Sequence, residues 1–288
     1  MSSKKIKKKM KISLFSLFRD SEPHIHKCLN MLDLIAKNTN CDFEYFFYEN
    51  DSKDKTCEIL KSWSKDKSCH ISSDTFGSKK FKSTLDPERM IHMSRIRNKM
   101  LDLGRQSNSD YSIIYDSDID LYPNIVNDFL GFKNLDFSML TPNIRQNVPC
   151  KMGSDSPTSY YDSSILFDSN NVNCMTWSDN PFYEEEDRQN FENGQPIIVN
   201  RAFGGFVFLK SKVLLNCSWN SKGESEHFSF CDQLRSFGNI FLIPTIKINV
   251  DIKQKTWDHE HLVVQKQQKM LNDPWNRFLW KTGNFDLV

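Results

Sequence analysis

The first half of the chain alternates between strand-like and helix-like segments, and this alternation constrains the fold more than any other feature. Strand-like runs lie at 11–18, 42–48 and 111–115, and helical patterns of apolar residues lie at 23–37 and 90–103. Strands that alternate with helices form βαβ units, in which parallel strands share one sheet covered by helices. We therefore expect an α/β fold with a mostly parallel central sheet flanked by helices.

The second half of the chain is less regular. Residues 143–200 are polar and rich in Asn, Asp and Ser, which predicts a long loop of the kind that often carries function. Strand patterns follow at 197–199, 203–209, 240–244 and 246–250, and a helical pattern at 225–237 ends before a glycine.

Polar clusters follow three of the predicted strands in the first half. They are RD at 19–20, ENDS at 49–52 and DSDID at 116–120. The carboxyl ends of parallel strands meet at one edge of a sheet, and ligands bind there in open α/β folds. We therefore expect the three clusters to converge on one site.

The DSDID cluster predicts a metal site. Carboxylate oxygens are hard ligands that suit Mg²⁺ or Mn²⁺, and these ions keep open positions for substrate phosphates. A solvated acidic turn is the alternative, and the position directly after a buried-type strand favours the metal. The candidate ligands are Asp116, Asp118 and Asp120, with His259 as a further candidate that a surface loop would also explain.

Three residues are candidates for nucleotide binding. The forked guanidinium of Arg97 suits a diphosphate, and Arg95 lies about 200° away on the same helix, so one of the two faces the site. A solvated helix face is the alternative for both. Arg19 follows the first strand, and Asp51 can bind a ribose or base, although a helix-capping loop explains Asp51 equally well.

A further group lies in the second half. Gly204 and Gly205 can let the backbone approach a ligand closely. Glu226, near a predicted helix start, can accept a hydrogen bond from a substrate hydroxyl or act as a base. A carboxylate that merely stabilises the helix N-terminus is the alternative.

Charge and composition exclude several classes. The net charge is +1, but six lysines and no acid lie in the first eleven residues, and residues 12–288 hold 32 basic and 37 acidic residues. This acidic body argues against a dedicated nucleic-acid binder. No apolar run is long enough for a transmembrane helix, and no signal-peptide pattern occurs, so we expect a cytoplasmic location. The lysine-rich lead is at most a weak contact for an anionic membrane surface.

The eight cysteines form no CxxC pair, which predicts reduced and mostly buried thiols.

Five ordered segments together resemble a known family. They are RIRNKML at 95–101, IIYDSDIDL at 113–121, YYD at 160–162, FGG at 203–205 and SEHFSFCDQLRSFGNIFLIPTIKINV at 225–250. The set resembles the GT-A glycosyltransferases and, more narrowly, the fungal capsule-associated CAP59-like α-1,3-mannosyltransferases.

The resemblance implies a GT-A nucleotide-diphospho-sugar transferase fold and sugar transfer with Mn²⁺ or Mg²⁺. Asp118 is similar to the family's metal-binding aspartate, Arg97 to the arginine of its Arg-Asn helix motif, and Glu226 to its Ser-Glu carboxylate. The chain departs from the family's usual Asn-Asp-Val at 117–119, and it has a lysine-rich lead where fungal members carry a membrane anchor.

The sequence therefore predicts a metal-dependent glycosyltransferase (a hexosyltransferase). It would move a sugar from a GDP- or UDP-sugar donor to a glycan or other hydroxyl acceptor, with mannose suggested by the resemblance. The predicted roles are catalysis by Asp118 and Glu226, nucleotide-sugar binding by Arg19, Asp51, Arg97 and Asp116, and acceptor binding by Gly204, Gly205 and Glu226.

Two other functions compete with this prediction. An inactive nucleotide- or carbohydrate-binding protein of the same fold is the main alternative. A metal-dependent nucleotidyltransferase ranks lower, because no glycine-rich loop follows the first strand.

The predicted organisation has three parts. Residues 1–10 form a basic flexible lead, and 253–288 form a C-terminal extension. Between them, a single catalytic domain over 11–252 has a nucleotide-binding half at 11–122 and an acceptor half at 123–252.

Overall fold

The computed structural model describes residues 9–79, 81, 86–147, 158–174 and 178–250. Within these residues the strands are β1 (Met10–Phe18), β2 (Cys41–Asn50), β3 (Cys69–Asp74), β4 (Tyr111–Asp116), β5 (Phe137–Gln146), β6 (Ser159–Tyr160), β7 (Phe167–Asp168), β8 (Ile197–Arg201), β9 (Phe206–Lys210) and β10 (Asn239–Val250). The α-helices are α1 (Glu22–Asn38), α2 (Thr56–Trp63), α3 (Pro87–Gly104), α4 (Ile125–Leu130), α5 (Glu185–Glu192) and α6 (Glu226–Leu234).

All the strands belong to one mixed sheet. Its order is β3-β2-β1-β4-β9-β5-β10-β8-β7, and β6 pairs with β5 off this path. Strands β1 to β4 pair in parallel, as expected, whereas β9 runs antiparallel between β4 and β5. In the second half, β5 and β10 also pair in parallel, whereas β7, β8 and β9 pair antiparallel with their neighbours.

The two predicted halves of the domain share this sheet. β9 comes from the second half of the chain, yet it pairs along its length with β4 of the first half. The register places Ile114 opposite Val207. This pairing brings the loop before β9 to the end of β4, where the aspartate cluster lies.

The region 143–200, predicted as one long loop, contains more structure than expected. It holds the end of β5, the short strands β6 and β7 and helix α5, none of which was predicted, and it ends in β8, which confirms the strand predicted at 197–199. Likewise, β10 is one strand with a register shift between Ile243 and Lys247 rather than two separate strands. Pro244, which cannot donate to a ladder, lies inside that shift.

Helices cover both faces of the sheet because strand residues alternate between its two sides. Phe46 and Tyr48 of β2 face one core, to which α3 and α6 contribute. Tyr45 and Phe47 of the same strand face the other core, against α1, α2 and α4. Two buried layers thus hold β4 and its polar end in a fixed place.

Local signals explain the helices that carry site residues. The side chain of Asp86 accepts a hydrogen bond from the backbone N–H of Glu88 and so caps α3. Gly104 is the last residue of α3, and packing explains why a glycine stands there. A Cβ atom there would lie 2.6 Å from the ring of Phe46, so only glycine fits against β2.

Two expectations concern cysteines and membranes. The seven described cysteines are free thiols, and four of them are buried, whereas Cys150 lies outside the described residues. None of the helices that the structure describes has the length and apolar character that a membrane span requires.

Candidate active site

The segments that follow β1 and β2 interlock at the carboxyl edge of the sheet. The backbone N–H of Asp20 donates to Ser52 Oγ at 3.0 Å, and the N–H of Lys53 donates to Asp20 Oδ1 at 2.8 Å. Asp20 adopts a positive φ of 48°, which lets the chain turn sharply here. The first two polar clusters therefore meet, as their positions after parallel strands predicted.

Asp51 organises the loop that follows β3. Its Oδ1 accepts the backbone N–H groups of Phe76 at 2.7 Å and Gly77 at 2.8 Å. Burial opposes the charge of this carboxylate, but hydrogen bonds from Ser78, Asn50 and these N–H groups lower the pKa of Asp51 to about 2. Asp51 thus holds the loop after β3 in place at the carboxyl edge of the sheet, and both of its oxygens accept hydrogen bonds there.

Arg19 contacts the same loop. Its Nη2 donates to the carbonyl oxygen of Ser78 at 2.8 Å, and Ser78 Oγ lies 3.4 Å from His92 Nε2 of α3. Burial, followed by the positive charge of Arg19, lowers the pKa of His92. The structure therefore brings Arg19 and Asp51 together around one loop.

Arg97 is the centre of the site. Its Nη1 and Nη2 donate to the two oxygens of Asp116 at 3.1 and 3.4 Å, and its Nε donates to Glu226 Oε1 at 3.3 Å. The side chain is only 4% exposed. Arg95, by contrast, is exposed and lies over the ring of Phe76 at 4.7 Å. Of the two arginines, Arg97 alone links the end of β4 to the start of α6.

Glu226 occupies the first position of α6 and is almost completely buried. Ser225 caps the helix by accepting the N–H of His227. Burial disfavours the Glu226 carboxylate, but the nearby His227 and Arg97 outweigh it, so the pKa of Glu226 is lowered. The position of Glu226 is therefore compatible with both interpretations, a carboxylate that stabilises the helix N-terminus and one that binds a substrate hydroxyl.

Aromatic rings enclose the guanidinium of Arg97. The rings of Phe203 and Trp219 lie 5.1 and 5.8 Å from its central carbon. The side chain of Asn98, the next residue on α3, bonds both backbone groups of Trp219. Sequence reasoning missed Trp219 because its only local signal is a tryptophan in a polar stretch.

Gly204 and Gly205 support the loop after β4. Both adopt positive φ values, 57° and 82°. A Cβ atom added to Gly205 would lie 2.3 Å from Ile119 Cδ1 and 3.3 Å from Asp116 Oδ2. The carbonyl oxygen of Gly205 accepts a hydrogen bond from the backbone N–H of Asp116 at 2.8 Å. Of the two predicted acceptor glycines, Gly205 therefore packs against the aspartate cluster, whereas Gly204 packs against Ile144.

The three aspartates of the cluster have different surroundings. Asp118 is exposed at the mouth of a small cavity that His24 also lines. Although Asp118 reaches solvent, the protein atoms crowded around it and the charge of Asp116 raise its pKa. Asp120 instead forms an ion pair with Lys27 of α1 at 2.5 Å. Asp120 nevertheless lines the same cavity as Asp118, and His259 lies outside the described residues.

The remaining aspartates fit a divalent cation that also binds substrate. Within the described parts of the chain, no three His, Cys, Asp or Glu side chains are grouped closely enough to hold a metal ion. Mg²⁺ commonly takes one or two protein carboxylates and completes its shell with water and substrate phosphates. Asp116 and Asp118 offer such a pair, since the charge of Asp116 is, after burial, the second cause of the raised pKa of Asp118.

Asp162 is a further acidic residue that sequence reasoning left unused. It has a positive φ of 54°, and Ser164 Oγ donates to its Oδ1 at 3.0 Å. Burial and the charges of Glu226 and Asp116 raise its pKa to about 6. The YYD segment at 160–162 was a signal for it, because that segment was one of the five that carried the family resemblance.

Comparison with solved structures identifies the fold. S. aureus TarS 1–349 in complex with UDP-GlcNAc is 14% identical over 85% of this chain and 59% of that one, with a TM-score of 0.52. The same fragment with UDP is 13% identical over 85% and 61%, with a TM-score of 0.51. GalNAc-T7 with UDP, GalNAc and Mn²⁺ is 11% identical over 86% and 45%, with a TM-score of 0.52.

These similarities show that the chain has the GT-A nucleotide-sugar transferase fold, as the sequence predicted. The chain spans about three fifths of the length of the TarS fragment and under half of GalNAc-T7. The sequence matches no protein-family model, and no curated protein matches it in sequence.

Proposed function

We propose that this protein is a metal-dependent glycosyltransferase that moves a hexose from a nucleoside-diphosphate sugar to a hydroxyl acceptor. The observation that carries the proposal is the bridge formed by Arg97 at the carboxyl edge of a GT-A sheet. One buried guanidinium holds Asp116, at the end of β4, and Glu226, at the start of α6. Arg97 thus links Asp116, a carboxylate suited to the metal of the donor, to Glu226, a carboxylate suited to the acceptor.

Asp116 and Asp118 would hold Mn²⁺ or Mg²⁺ together with the donor diphosphate. When bound, the ion would supply Lewis-acid stabilisation of the leaving nucleoside diphosphate. Support for this assignment comes from the donor set, which offers two hard carboxylates beside further acidic groups. In this proposal Asp116 shares its two oxygens with Arg97 and Asp120 shares its Oδ1 with Lys27, so Asp118 would be the principal ligand.

Arg97 has a different role here from the nucleotide contact that its sequence motif suggested. It is buried, and three of its N–H groups serve Asp116 and Glu226. We propose that it fixes the position of both carboxylates and keeps Glu226 ionised. Arg19 and the loop held by Asp51 would then form the nucleotide end of the site.

Glu226 would face the acceptor. Its Oε1 receives Arg97 and lies near His227, so Oε2 is the oxygen proposed for the acceptor hydroxyl. In an inverting transfer, Glu226 would take the hydroxyl proton as the sugar–phosphate bond breaks. In a retaining transfer it would orient the hydroxyl without acting as the base.

The identity of the donor sugar is the most specific part of the proposal. The resemblance to CAP59-like mannosyltransferases suggests GDP-mannose, and UDP-sugars are the other candidates. This choice rests on the sequence resemblance alone, since donor preference varies widely on one fold.

Two measurements test the proposed function. A thermal-shift screen of GDP, UDP, CDP and TDP, each with and without Mn²⁺, should reveal one nucleotide that stabilises the protein in a Mn²⁺-dependent way. Transfer or donor hydrolysis with the matching sugar should then be lost in Asp118→Ala and largely retained in Asp120→Ala, the matched control. Full activity of Asp118→Ala would overturn the metal assignment.

The main alternative predicts a different outcome of the same screen. Mn²⁺-dependent stabilisation by one nucleotide, without turnover of any donor, would favour a binding protein that keeps the fold without catalysis.

A further inference from the structure

A second chain of contacts connects α3 to Glu226, separate from Arg97. Asn98 Nδ2 donates to the carbonyl oxygen of Trp219 at 2.7 Å, and the N–H of Trp219 donates to Asn98 Oδ1 at 2.9 Å. The indole Nε1–H of Trp219 donates to His227 Nδ1 at 3.3 Å. His227 Nε2 lies 3.5 Å from Glu226 Oε1.

The chemistry of these groups fixes the position of a proton. An indole N–H can only donate, so Nδ1 of His227 must be the acceptor. The proton of a neutral imidazole then lies on Nε2, where it faces Glu226 Oε1. Burial, the largest influence, lowers the pKa of His227 to about 4, so the ring stays neutral near pH 7.

Packing holds both rings in this orientation. Trp219 stacks on Phe230 with centroids 4.0 Å apart and planes 8° apart, and His227 stacks on Phe203 at 3.9 Å and 20°. Trp219 and His227 are both buried. Stacking fixes the plane of each ring, and the hydrogen bond from Trp219 to Nδ1 selects which edge of His227 faces Glu226.

We propose that Asn98, Trp219 and His227 are positioning residues that orient Glu226. They hold Oε1 from a second direction and thereby leave Oε2 facing the acceptor hydroxyl. This inference rests on the proposed function of Glu226, but none of the three residues needs to touch the substrate.

The first test reads the proton directly and requires no activity. In protein labelled with ¹⁵N-histidine, the His227 signal should show the neutral Nε2–H tautomer at pH 7. Trp219→Phe keeps an aromatic ring over Phe230 but removes the N–H donor to Nδ1. Because Nε2–H still faces Glu226 Oε1, the Nε2–H tautomer should persist, while the ¹⁵N shift of Nδ1 should change with the loss of its hydrogen-bond donor. An Nδ1–H tautomer in the wild type, or an unchanged Nδ1 shift in Trp219→Phe, would overturn the proposal.

The second test separates positioning from packing by using two variants of His227. His227→Gln keeps an N–H donor but loses the ring, whereas His227→Phe keeps the ring stack on Phe203 but loses the donor. If the residue positions Glu226, His227→Phe should lose about 10–100-fold in kcat with the donor KM unchanged, and His227→Gln should lose less. The reverse order would show that the residue only packs.

Thermal unfolding of each variant separates a folding defect from a positioning one, because a misfolded variant would also lose its cooperative transition. A wild type that transfers no sugar would count against the proposed function, while the tautomer measurement would still decide the positioning of His227.

Discussion

Replacement of Arg97 by Met should destabilise the fold in a way that depends on pH. Met has a similar length and keeps most of the apolar contact with Phe203 and Trp219, but it removes the charge. Glu226, about 4% exposed, would then be a buried carboxylate without its cation. Asp116 is about a third exposed, so water can solvate it and its share of the loss is small.

The magnitude follows from the burial of Glu226. Breaking a buried ion pair by removing one partner costs about 3–5 kcal/mol, and we expect about 3 kcal/mol because Asp116 stays solvated. With a urea slope of about 2 kcal/mol/M, the unfolding midpoint should fall by about 1.5 M at pH 7.5.

The pH dependence has a definite sign. In the wild type the pKa of Glu226 is lowered, so its contribution is present above the unfolded value of 4.5 and is lost as the pH falls through the folded value. In Arg97→Met, burial without the cation raises that pKa, and stability declines as the pH rises through the raised value. The deficit relative to wild type should therefore be larger at pH 8 than at pH 5.

Urea unfolding followed by circular dichroism at both pH values measures this deficit. Arg95→Met is the matched control, because Arg95 is exposed and loses only a contact with Phe76, which is about 0.5–1 kcal/mol. The double variant Arg97→Met/Glu226→Gln should recover more than about 1 kcal/mol, since it removes both charges. A loss below about 1 kcal/mol, or a deficit that does not change with pH, would refute the reasoning.

Three further predictions follow from the structure. Gly205→Ala should destabilise the fold by more than Gly77→Ala in thermal unfolding, because both have positive φ but only the first Cβ meets a methyl group at 2.3 Å, whereas the second meets open space; equal losses would contradict this. Asp51→Asn should be less stable than the wild type at pH 5, and this difference in unfolding free energy should shrink as the pH falls towards 2. The reason is that the Asp51 carboxylate stabilises the wild type above its unfolded pKa and loses its charge as the pH approaches the folded pKa of about 2. A difference that does not change with pH would show that the charge contributes nothing. Gly104→Ala should cost about 1–3 kcal/mol in urea unfolding through overlap with the Phe46 ring, and Phe46→Leu should relieve part of that cost in the double variant; a neutral substitution would mean that β2 and α3 can move apart.

The fold was predicted best where the signal is local. Helices α1 and α3 follow from the period of their apolar residues, and strands β1, β2 and β4 follow from apolar runs that are buried on both faces. The region 143–200 was predicted poorly because β6 and β7 have only two residues each and form through pairing with β5 and β8. A strand of that length has no period to detect.

The candidate site was predicted one residue at a time. Asp116, Arg97 and Glu226 each had a structural alternative that the sequence could not remove. Their contacts span 19 and 129 residues of chain, and such distances leave no local pattern. For the same reason Trp219, His227 and Asp162 were missed, because their importance comes only from what lies beside them.

The sequence by itself determined that an α/β sheet would gather polar residues at the carboxyl ends of its strands. That conclusion needs only the alternation of elements and the geometry of parallel strands. The tertiary structure decided which polar residues meet. Arg97 lies between Asp116 and Glu226 and pairs with both. Asp120 pairs with Lys27, and Gly205 packs against the aspartate cluster. The physical reason is burial, because a charge enclosed by the packed core needs a partner, and only the packing determines which partner is within reach.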